Sequence, residues 1–231
     1  MNSHFLPGIS IDCVVFGFHG NQLKFLVTRI INSDLYALPG GFLHEDENLS
    51  DAAQRILFER TNLSNIYLEQ FHVYGDKNRR SEETQRQILE GIRASPEAVA
   101  FLSQRFISIG YYALIDFTKA EPIADYLSAS SEWRDLSDIP PLIFDHNQMV
   151  QKALETLRIT LDHRDVGYNL LPPTFTMSEL QALHETILGE KLVRSNFQRK
   201  MLSGGLLERI EKKMTGAAHK APFLYRFRHD E

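Results

Sequence analysis

The chain has 231 residues, enough for one well-packed core and a smaller second domain. Its hydrophobic content of 43% and charged content of 24% are typical of globular proteins, and its single cysteine excludes a disulfide framework. Its apolar runs are too short to cross a membrane and its N-terminus lacks a secretory signal, so we expect a cytoplasmic protein with no membrane partner.

The net charge of −5 is divided unevenly along the chain. Residues 174–231 contain 10 Lys and Arg against 7 Asp and Glu, which leaves 15 against 23 for residues 1–173 out of totals of 25 and 30. The body therefore carries −8 and the tail +3. A basic tail on an acidic body is a weak indication of nucleic-acid binding.

Two runs rich in Val, Ile and Phe open the chain at residues 9–18 and 23–29. Gly20 and Asn21 lie in the short segment between them, so the two runs are predicted to form a β-hairpin. Cys13 falls within the first run, and we expect it to be a buried, inert thiol.

Residues 41–63 form a loop that leads into a predicted helix. We expect Ser50 to cap this helix and its apolar stripe to face the core. The stripe consists of Ala52, Ala53, Ile56 and Leu57. The spacing from Gly41 through Glu47 and Arg55 to Glu59 is that of a Nudix box, and the segment resembles the box of the Nudix hydrolases.

This resemblance implies metal chemistry for which the helix has lost most of its ligands. In Nudix hydrolases three carboxylates on one helix face hold the divalent cations that clamp a diphosphate. Ile56 and Arg60 stand at two of these positions, so we expect no metal, no cofactor and no catalytic residue. The remaining acid, Glu59, is expected to pair with Arg55 one helical turn away. The acids of the preceding loop are interpreted as solvated: Glu45, Asp46 and Glu47.

The rest of the first domain is predicted to complete an α/β/α sandwich with a mixed sheet. Strands are expected at residues 66–74 and 106–117, a short edge strand at 132–136, and a helix at 142–161. Residues 77–104 form a polar insert that reads as one extra helix, or two helices broken at Ser95 and Pro96. Arg79 and Arg80 at its start are interpreted as solvated, although they could reach an anionic ligand.

A proline-containing junction at residues 161–173 then marks a boundary. Beyond it, Thr176 and Glu179 match a capping box at the start of a helix that ends near Gly189. A second helix is predicted at about residues 195–203, followed by strands at 206–210 and 223–227 around a basic loop. This order of elements is that of a winged helix-turn-helix domain.

The second helix and the loop, or wing, supply the candidate DNA contacts. The start of such a helix lies near base edges in the major groove, while lysines of the wing are placed for phosphate contact. A merely solvated cationic surface is the alternative. Ten DNA-binding candidates follow from this interpretation: Arg194, Ser195, Asn196, Gln198, Arg199, Lys200, Lys212, Lys213, His219 and Lys220.

The whole arrangement resembles the NrtR type of Nudix-related transcriptional regulators, which includes arabinose-responsive relatives. Similar segments occur at residues 143–146, 169–172, 188–190, 196–200 and 217–227, while the insert and the eroded box are departures. The resemblance implies a homodimer that binds a double-stranded DNA operator and a small-molecule effector. The corresponding domains are 1–160 (Nudix-like), 161–173 (linker) and 174–231 (winged helix).

The resemblance leaves two effector classes open. ADP-ribose or a related metabolite would be held by cations and aromatic rings, whereas a pentose would be held by acids and amides. Asn147 and two of the acids slightly favour a sugar or sugar derivative. The effector-binding candidates are Arg29, Arg55, Glu59, Asp76, Arg79 and Asp145.

We therefore expect a transcriptional regulator, and we favour a repressor whose repression is relieved when the ligand binds. A Nudix hydrolase acting on a nucleoside diphosphate derivative is the alternative, because acids outside the helix could supply metal ligands. A third interpretation is a module whose wing contacts another protein.

Overall fold

The computed structural model describes residues 5–64, 66–161, 170–212 and 221–228. Within these ranges it contains a seven-stranded mixed sheet and a separate three-stranded sheet, with helices on both faces of the larger one. The predicted fold, a Nudix-like α/β/α sandwich followed by a winged helix-turn-helix, is confirmed. None of the described helices is long and apolar enough to cross a bilayer.

The strands and helices are numbered here in chain order. The strands are β1 (Phe5–His19), β2 (Gln22–Ile30), β3 (Tyr36–Ala37), β4 (Gly40–His44), β5 (Leu68–Tyr74), β6 (Ile107–Asp116), β7 (Ser128–Asp135), β8 (Phe175–Thr176), β9 (Leu207–Lys212) and β10 (Phe223–Phe227). The helices are α1 (Leu49–Thr61), α2 (Glu82–Gly91), α3 (Pro96–Leu102), α4 (His146–Thr160), α5 (Met177–Leu188) and α6 (Arg194–Ser203).

The larger sheet is built around β1. This strand runs parallel to β6 and antiparallel to both β2 and β4, and β5 lies beyond β6. The predicted hairpin between β1 and β2 is confirmed, and Gly20 and Asn21 both adopt the positive φ angles that its tight turn requires. β7 pairs only with β2 among the described strands, so it is the predicted edge strand, although it begins four residues earlier than expected.

The two faces of this sheet are covered by different helices. The apolar stripe of α1 packs on one face in a core that also contains Cys13, which is fully buried as predicted. Burial raises the pKa of the Cys13 thiol to about 12, so the thiol stays protonated and inert. Helix α4 covers the other face through residues such as Met149 and Leu157. The sheet therefore holds α1 and the start of α4 in fixed positions relative to its strands.

Two predicted helix boundaries were wrong. α1 begins at Leu49 with Asn48 as its N-cap, so Ser50 lies in the first turn and does not cap the helix. α4 begins at His146 rather than at residue 142, because Ile143 donates its N–H to the carbonyl of Tyr36 and is held in an extended connection to β3. Both shifts are local, and neither changes which face of each helix is buried.

The insert folds into two helices, α2 and α3, broken at Ser95 and Pro96. The prediction of two helices is therefore confirmed over the single-helix alternative. The side chain of Ser81 caps α2, and the side chain of Ser95 caps α3 immediately before its proline. Residues of both helices, such as Ile88 and Leu102, line the same cavity as the second half of α1, and this placement forms the candidate site.

The C-terminal unit contains α5, α6 and the sheet β8-β10-β9. The capping box of Thr176 and Glu179 and the left-handed C-cap at Gly189 are confirmed. The short strand β8 was not predicted, because two residues carry no periodic signal. α5 divides its apolar face between two cores: Leu180 packs within the C-terminal unit, whereas Leu183 and Ile187 pack into the α4 side of the Nudix-like domain. The two units are therefore joined through α5.

Candidate functional site

A cavity opens where α1, the insert and the start of α4 converge on the sheet. Part of its lining is apolar and aromatic, and part is strongly charged. Four arginines line it, two from α1 and two from the insert: Arg55, Arg60, Arg79 and Arg80. The phenylalanine and tyrosine lining comes from two strands and three connections: Phe5, Phe42, Phe106, Tyr126 and Phe144. A cavity with these properties is suited to an anionic ligand that also has a flat, apolar part.

One wall of the cavity is built around Arg55. Its guanidinium donates two hydrogen bonds of 2.8 Å to the carboxylate of Glu47 and a third, of 2.9 Å, to the carbonyl of Phe42. The predicted pair with Glu59 is confirmed at 3.3 Å. Glu47 was wrongly interpreted as solvated, because its hydrogen bonds with Arg55 hold it against the wall and lower the pKa of its carboxyl. Arg55 thus anchors the loop before α1.

The two eroded positions of the box are filled in different ways. Ile56 is fully buried against Gly41, where an added Cβ would lie only 2.8 Å from an Ile56 methylene carbon. The Arg60 side chain is only 9% exposed and donates to Asp125 at 3.0 Å and to the carbonyl of Gly40 at 3.1 Å. A hydrocarbon and a guanidinium therefore replace two of the metal-binding carboxylates. Within the described ranges, no group of three or more His, Cys, Asp or Glu residues is placed to hold a metal ion.

A buried polar group forms the floor of the cavity. His146 accepts a hydrogen bond from the backbone N–H of Leu38 at 3.0 Å through Nδ1, and its Nε2 lies 3.8 Å from Asp12 Oδ1. Asp12 also accepts a hydrogen bond from Ser108. Burial lowers the pKa of His146, so the ring is neutral, with its proton on the nitrogen that faces Asp12. This arrangement ties the connection between β3 and β4 to the first turn of α4.

The neutral state of His146 gives a pH-dependent contribution to stability. Its pKa is lowered from 6.5 in the folded protein, so as pH falls the unfolded chain binds the proton first and stability is lost from about pH 7 downward. The stability cost of His146→Asn, measured by urea unfolding, should therefore be smaller at pH 5.5 than at pH 8, by a total of up to about 1.4 kcal/mol, because pH 5.5 lies one unit below the unfolded pKa of 6.5. An equal cost at both pH values would contradict this assignment.

The insert arginines are not solvated, which corrects their interpretation from sequence. The Arg79 side chain is only 5% exposed and forms a bidentate pair with Asp145, with N–O distances of 2.7 and 2.9 Å. The guanidinium of Arg80 lies over the rings of Phe144 and Phe106, at 4.8 and 5.2 Å from their centroids. The fold of the insert turns both side chains toward the cavity.

The structure brings some of the effector candidates together and leaves others apart. Arg55, Glu59 and Arg79 line the cavity, and Asp145 stands behind Arg79 as its partner. Arg29 lies elsewhere, 3.8 Å from Asp34. Asp76 is exposed and accepts the N–H of Asn78, so it forms part of a turn.

Several lining residues were missed by sequence reasoning. Asp12 is an acid within an otherwise apolar strand, a signal that could have been used. His146 directly follows Asp145, but its burial depends on contacts with residues more than a hundred positions away. Phe106 and Phe144 have no local feature that distinguishes them from core aromatics.

The candidate DNA-binding surface lies on α6 and the neighbouring strands. Phe197 and Met201 face the C-terminal core, while the polar and cationic residues of α6 point outward. The outward residues are Arg194, Ser195, Asn196, Arg199 and Lys200, with Gln198 half-buried. Lys212 is exposed at the end of β9, whereas Lys213, His219 and Lys220 lie outside the described residues. Arg209 was missed; it is exposed on β9 beside the ring of Phe223.

Comparison with known proteins finds two family models that together span most of the chain. The NUDIX domain model matches residues 6–152. The model described as the NrtR DNA-binding winged helix domain matches residues 167–227. The gap between the two matches, residues 153–166, begins within α4.

Relatives of similar length carry both parts. The ADPR responsive transcriptional repressor NtrR of Acinetobacter baylyi is 30% identical over 228 residues, which cover 96% of this chain and 82% of that protein. The crystal structure of Shewanella oneidensis NrtR is 28% identical with a TM-score of 0.68, covering 95% of this chain and 94% of that one. The same protein complexed with a 27mer DNA is 26% identical with a TM-score of 0.70, covering 95% and 93%.

Proposed function

Since the chain belongs to the NUDIX family and carries the NrtR DNA-binding winged helix domain, we propose that it is a transcriptional repressor that releases DNA when ADP-ribose or a related nucleoside diphosphate sugar binds. The observation that carries the proposal is the joining of an arginine-lined cavity to a winged helix whose second helix presents exposed cations. The relative from Acinetobacter baylyi is named as ADPR-responsive, which supports this effector class.

The cavity favours a phosphate-bearing effector over a free sugar. The residues that favoured a sugar from sequence are engaged elsewhere: Asp145 pairs with Arg79, Asp76 shapes a turn, and Asn147 bonds the backbone of Leu142 and Pro140. The remaining polar surface is rich in guanidinium groups, which bind phosphate oxygens well. Aromatic rings nearby could stack on an adenine.

The same wall argues against hydrolysis of the bound ligand. Catalysis in this family needs divalent cations, and a positive guanidinium at residue 60 repels a cation at the position it occupies. We propose that the Nudix-like domain binds without cleaving, and that the ligand diphosphate is neutralised by arginine instead of metal. The hydrolase remains the competing function, and turnover measurements decide between the two.

DNA binding is proposed for the C-terminal unit, on the ten residues named from sequence together with Arg209. A related protein of the same architecture has been crystallised with a 27mer DNA, which supports this use of the domain. We propose a homodimer, because two copies would match the two half-sites of a palindromic operator. The domain limits 1–160, 161–173 and 174–231 and a cytoplasmic location are part of the same proposal.

A continuous set of contacts connects the cavity to the DNA-binding helix. Phe144 and His146 at the start of α4 line the cavity, and further along that helix Arg158 donates to the carbonyl of Ile187 in α5 at 3.0 Å. The ring of His184 in α5 then packs against Phe197 of α6. We propose that ligand binding shifts α4 and thereby changes the orientation of α6. Ligand can weaken DNA binding only through different affinities for the two arrangements.

The test is a titration of the protein into labelled promoter DNA from upstream of its own gene. Fluorescence anisotropy measures the binding, with and without ligand. ADP-ribose should weaken DNA binding by about tenfold or more, within the range of typical allosteric coupling, whereas ribose and arabinose should not. Incubation of ADP-ribose with the protein and Mg²⁺ should leave the ligand intact. Turnover well above background would support the hydrolase instead.

Salt dependence separates DNA binding from a protein-interaction module. A duplex held through several phosphate contacts must bind more weakly as the salt concentration rises. The logarithm of the binding constant then falls linearly with the logarithm of the salt concentration. Apparent DNA binding that ignores salt would point to a wing that contacts a protein. Light scattering in the same buffers measures whether the regulator is a dimer.

A further inference from the structure

The arginines around the cavity are paired with acids, with one exception. Arg55 has Glu47 and Glu59, and Arg60 has Asp125. On the insert side, Arg79 has the carboxylate of Asp145. Each of these three arginines is therefore neutralised by at least one acid within 4 Å.

Arg80 is the exception. No carboxylate oxygen in the described part of the chain lies within 4.0 Å of its nitrogens. One nitrogen, Nη1, donates to the carbonyls of Leu102 and Gln104 at 3.1 and 3.0 Å, which closes the insert. Nε and Nη2 make no hydrogen bond to described residues, so they are available to a ligand in the cavity that Arg80 lines.

The surroundings of Arg80 hold its guanidinium in place without neutralising it. The rings of Phe106 and Phe144 pack against the guanidinium and fix its plane. Burial and the neighbouring charge of Arg79 lower the pKa of Arg80, while Asp12 and Asp145 offset this only from a distance. A half-buried cation beside a like charge is destabilising, so an anion bound at this position would relieve a strain that the free protein carries.

We propose that Arg80 is the phosphate receptor of the effector cavity, and that the insert at residues 77–104 exists to place it there. This inference rests on the proposed function for the identity of the effector. Its own claim concerns only one contact: a phosphate or diphosphate group accepts hydrogen bonds from the free N–H groups of Arg80. The specificity of this chain for a phosphorylated over a neutral ligand then comes from a segment outside the Nudix box.

The experiment compares Arg80→Gln with Arg86→Gln by isothermal titration calorimetry. Arg86 lies on the same insert, is exposed, and pairs with Glu83 and Glu90, so it controls for the loss of a positive charge. The probes are ADP-ribose, inorganic diphosphate and adenosine. We expect Arg80→Gln to weaken ADP-ribose and diphosphate binding at least tenfold and to leave adenosine binding unchanged, while Arg86→Gln matches wild type for all three probes.

The contrast between anionic and neutral probes distinguishes a receptor from a structural clamp. Arg80→Gln loses the hydrogen bonds to Leu102 and Gln104 in either case, so its melting temperature is used only to choose a temperature at which the variant is folded. Anion affinity within threefold of wild type, or an equal loss of adenosine binding, would overturn the proposal. If the variant does not fold, protection of Arg80 from phenylglyoxal by ADP-ribose in the wild-type protein decides the question, since equal modification with and without ligand overturns it.

The same binding measurements distinguish failure of the proposed effector from failure of the proposed phosphate receptor. If wild-type protein binds diphosphate through Arg80 but not ADP-ribose, the effector assignment fails and the receptor stands. If wild-type protein and Arg80→Gln bind ADP-ribose equally well, the effector assignment stands and the receptor proposal fails. Absence of binding for all anionic probes rejects both.

Discussion

Asp125→Ala is expected to lower the free energy of unfolding by about 3 kcal/mol. The substitution leaves the Arg60 guanidinium, whose side chain is only 9% exposed, without its acid partner at 3.0 Å. Breaking a buried ion pair from one side typically costs about 3–5 kcal/mol, and the lower end applies because this pair borders an open cavity. Glu59 remains at 3.9 Å but is too distant to replace the lost hydrogen bond. Urea unfolding at pH 7 measures the change.

A double variant identifies the cause of this loss. Asp125→Leu combined with Arg60→Met removes both charges, so it should recover most of the stability, because apolar replacements of buried ion pairs are often neutral. Lys152→Ala, which removes one partner of an exposed pair on α4, should change stability little. If the free energy of unfolding of Asp125→Ala lies within about 1 kcal/mol of the wild-type value, the Arg60 charge is solvated through the cavity and does not depend on Asp125.

The Arg60 pair also explains how the Nudix box keeps its shape with an arginine at one of its acid positions. Arg60 donates to the carbonyl of Gly40, at the start of β4, the strand that precedes the loop leading into α1. Arg55 holds the same loop through Glu47. Two guanidinium groups thus connect α1 to the strand and the loop that precede it. The loop and helix of the box therefore stay in contact although Ile56 and Arg60 stand at two of its acid positions.

Local features of the fold could be predicted from sequence because their signals lie within a few residues. The turn at Gly20 and Asn21, the capping box at Thr176 and Glu179, and the C-cap at Gly189 each depend on the conformational preference or side chain of a nearby residue. The break between α2 and α3 is marked by a proline in the same way. These signals located the elements but not the surfaces that they cover.

The candidate site could be predicted only in part, because burial depends on distant segments. Arg79 and Arg80 lie in a polar run that is typical of an exposed surface, yet the insert folds back and turns them inward. Glu47 was interpreted as solvated, since its partner Arg55 is eight residues away with a helix start between them. The shared face of α5 is a third case: Leu180 and Leu183 belong to one amphipathic pattern but pack into different cores.

Arg199→Ala, together with Asn196→Ala, is expected to reduce operator affinity by about 100-fold or more. Both residues are exposed on α6, and Arg199 donates to the side-chain oxygen of Asn196 at 3.2 Å, so the pair is presented as one polar surface. Each base-reading contact is worth about 1–3 kcal/mol, and two coupled contacts lose somewhat less than their sum. Fluorescence anisotropy with an operator duplex and a scrambled duplex measures both affinity and preference.

The reason to expect a loss of preference as well as affinity lies in the position of the two residues. Base contacts discriminate between sequences, whereas phosphate contacts do not, so the double variant should bind operator and scrambled DNA almost equally. Lys212→Ala, on β9, should instead weaken both duplexes alike and reduce the salt slope by about one. A double variant that keeps the operator preference would place sequence recognition outside α6, while Lys152→Ala on α4 controls for the loss of a cation.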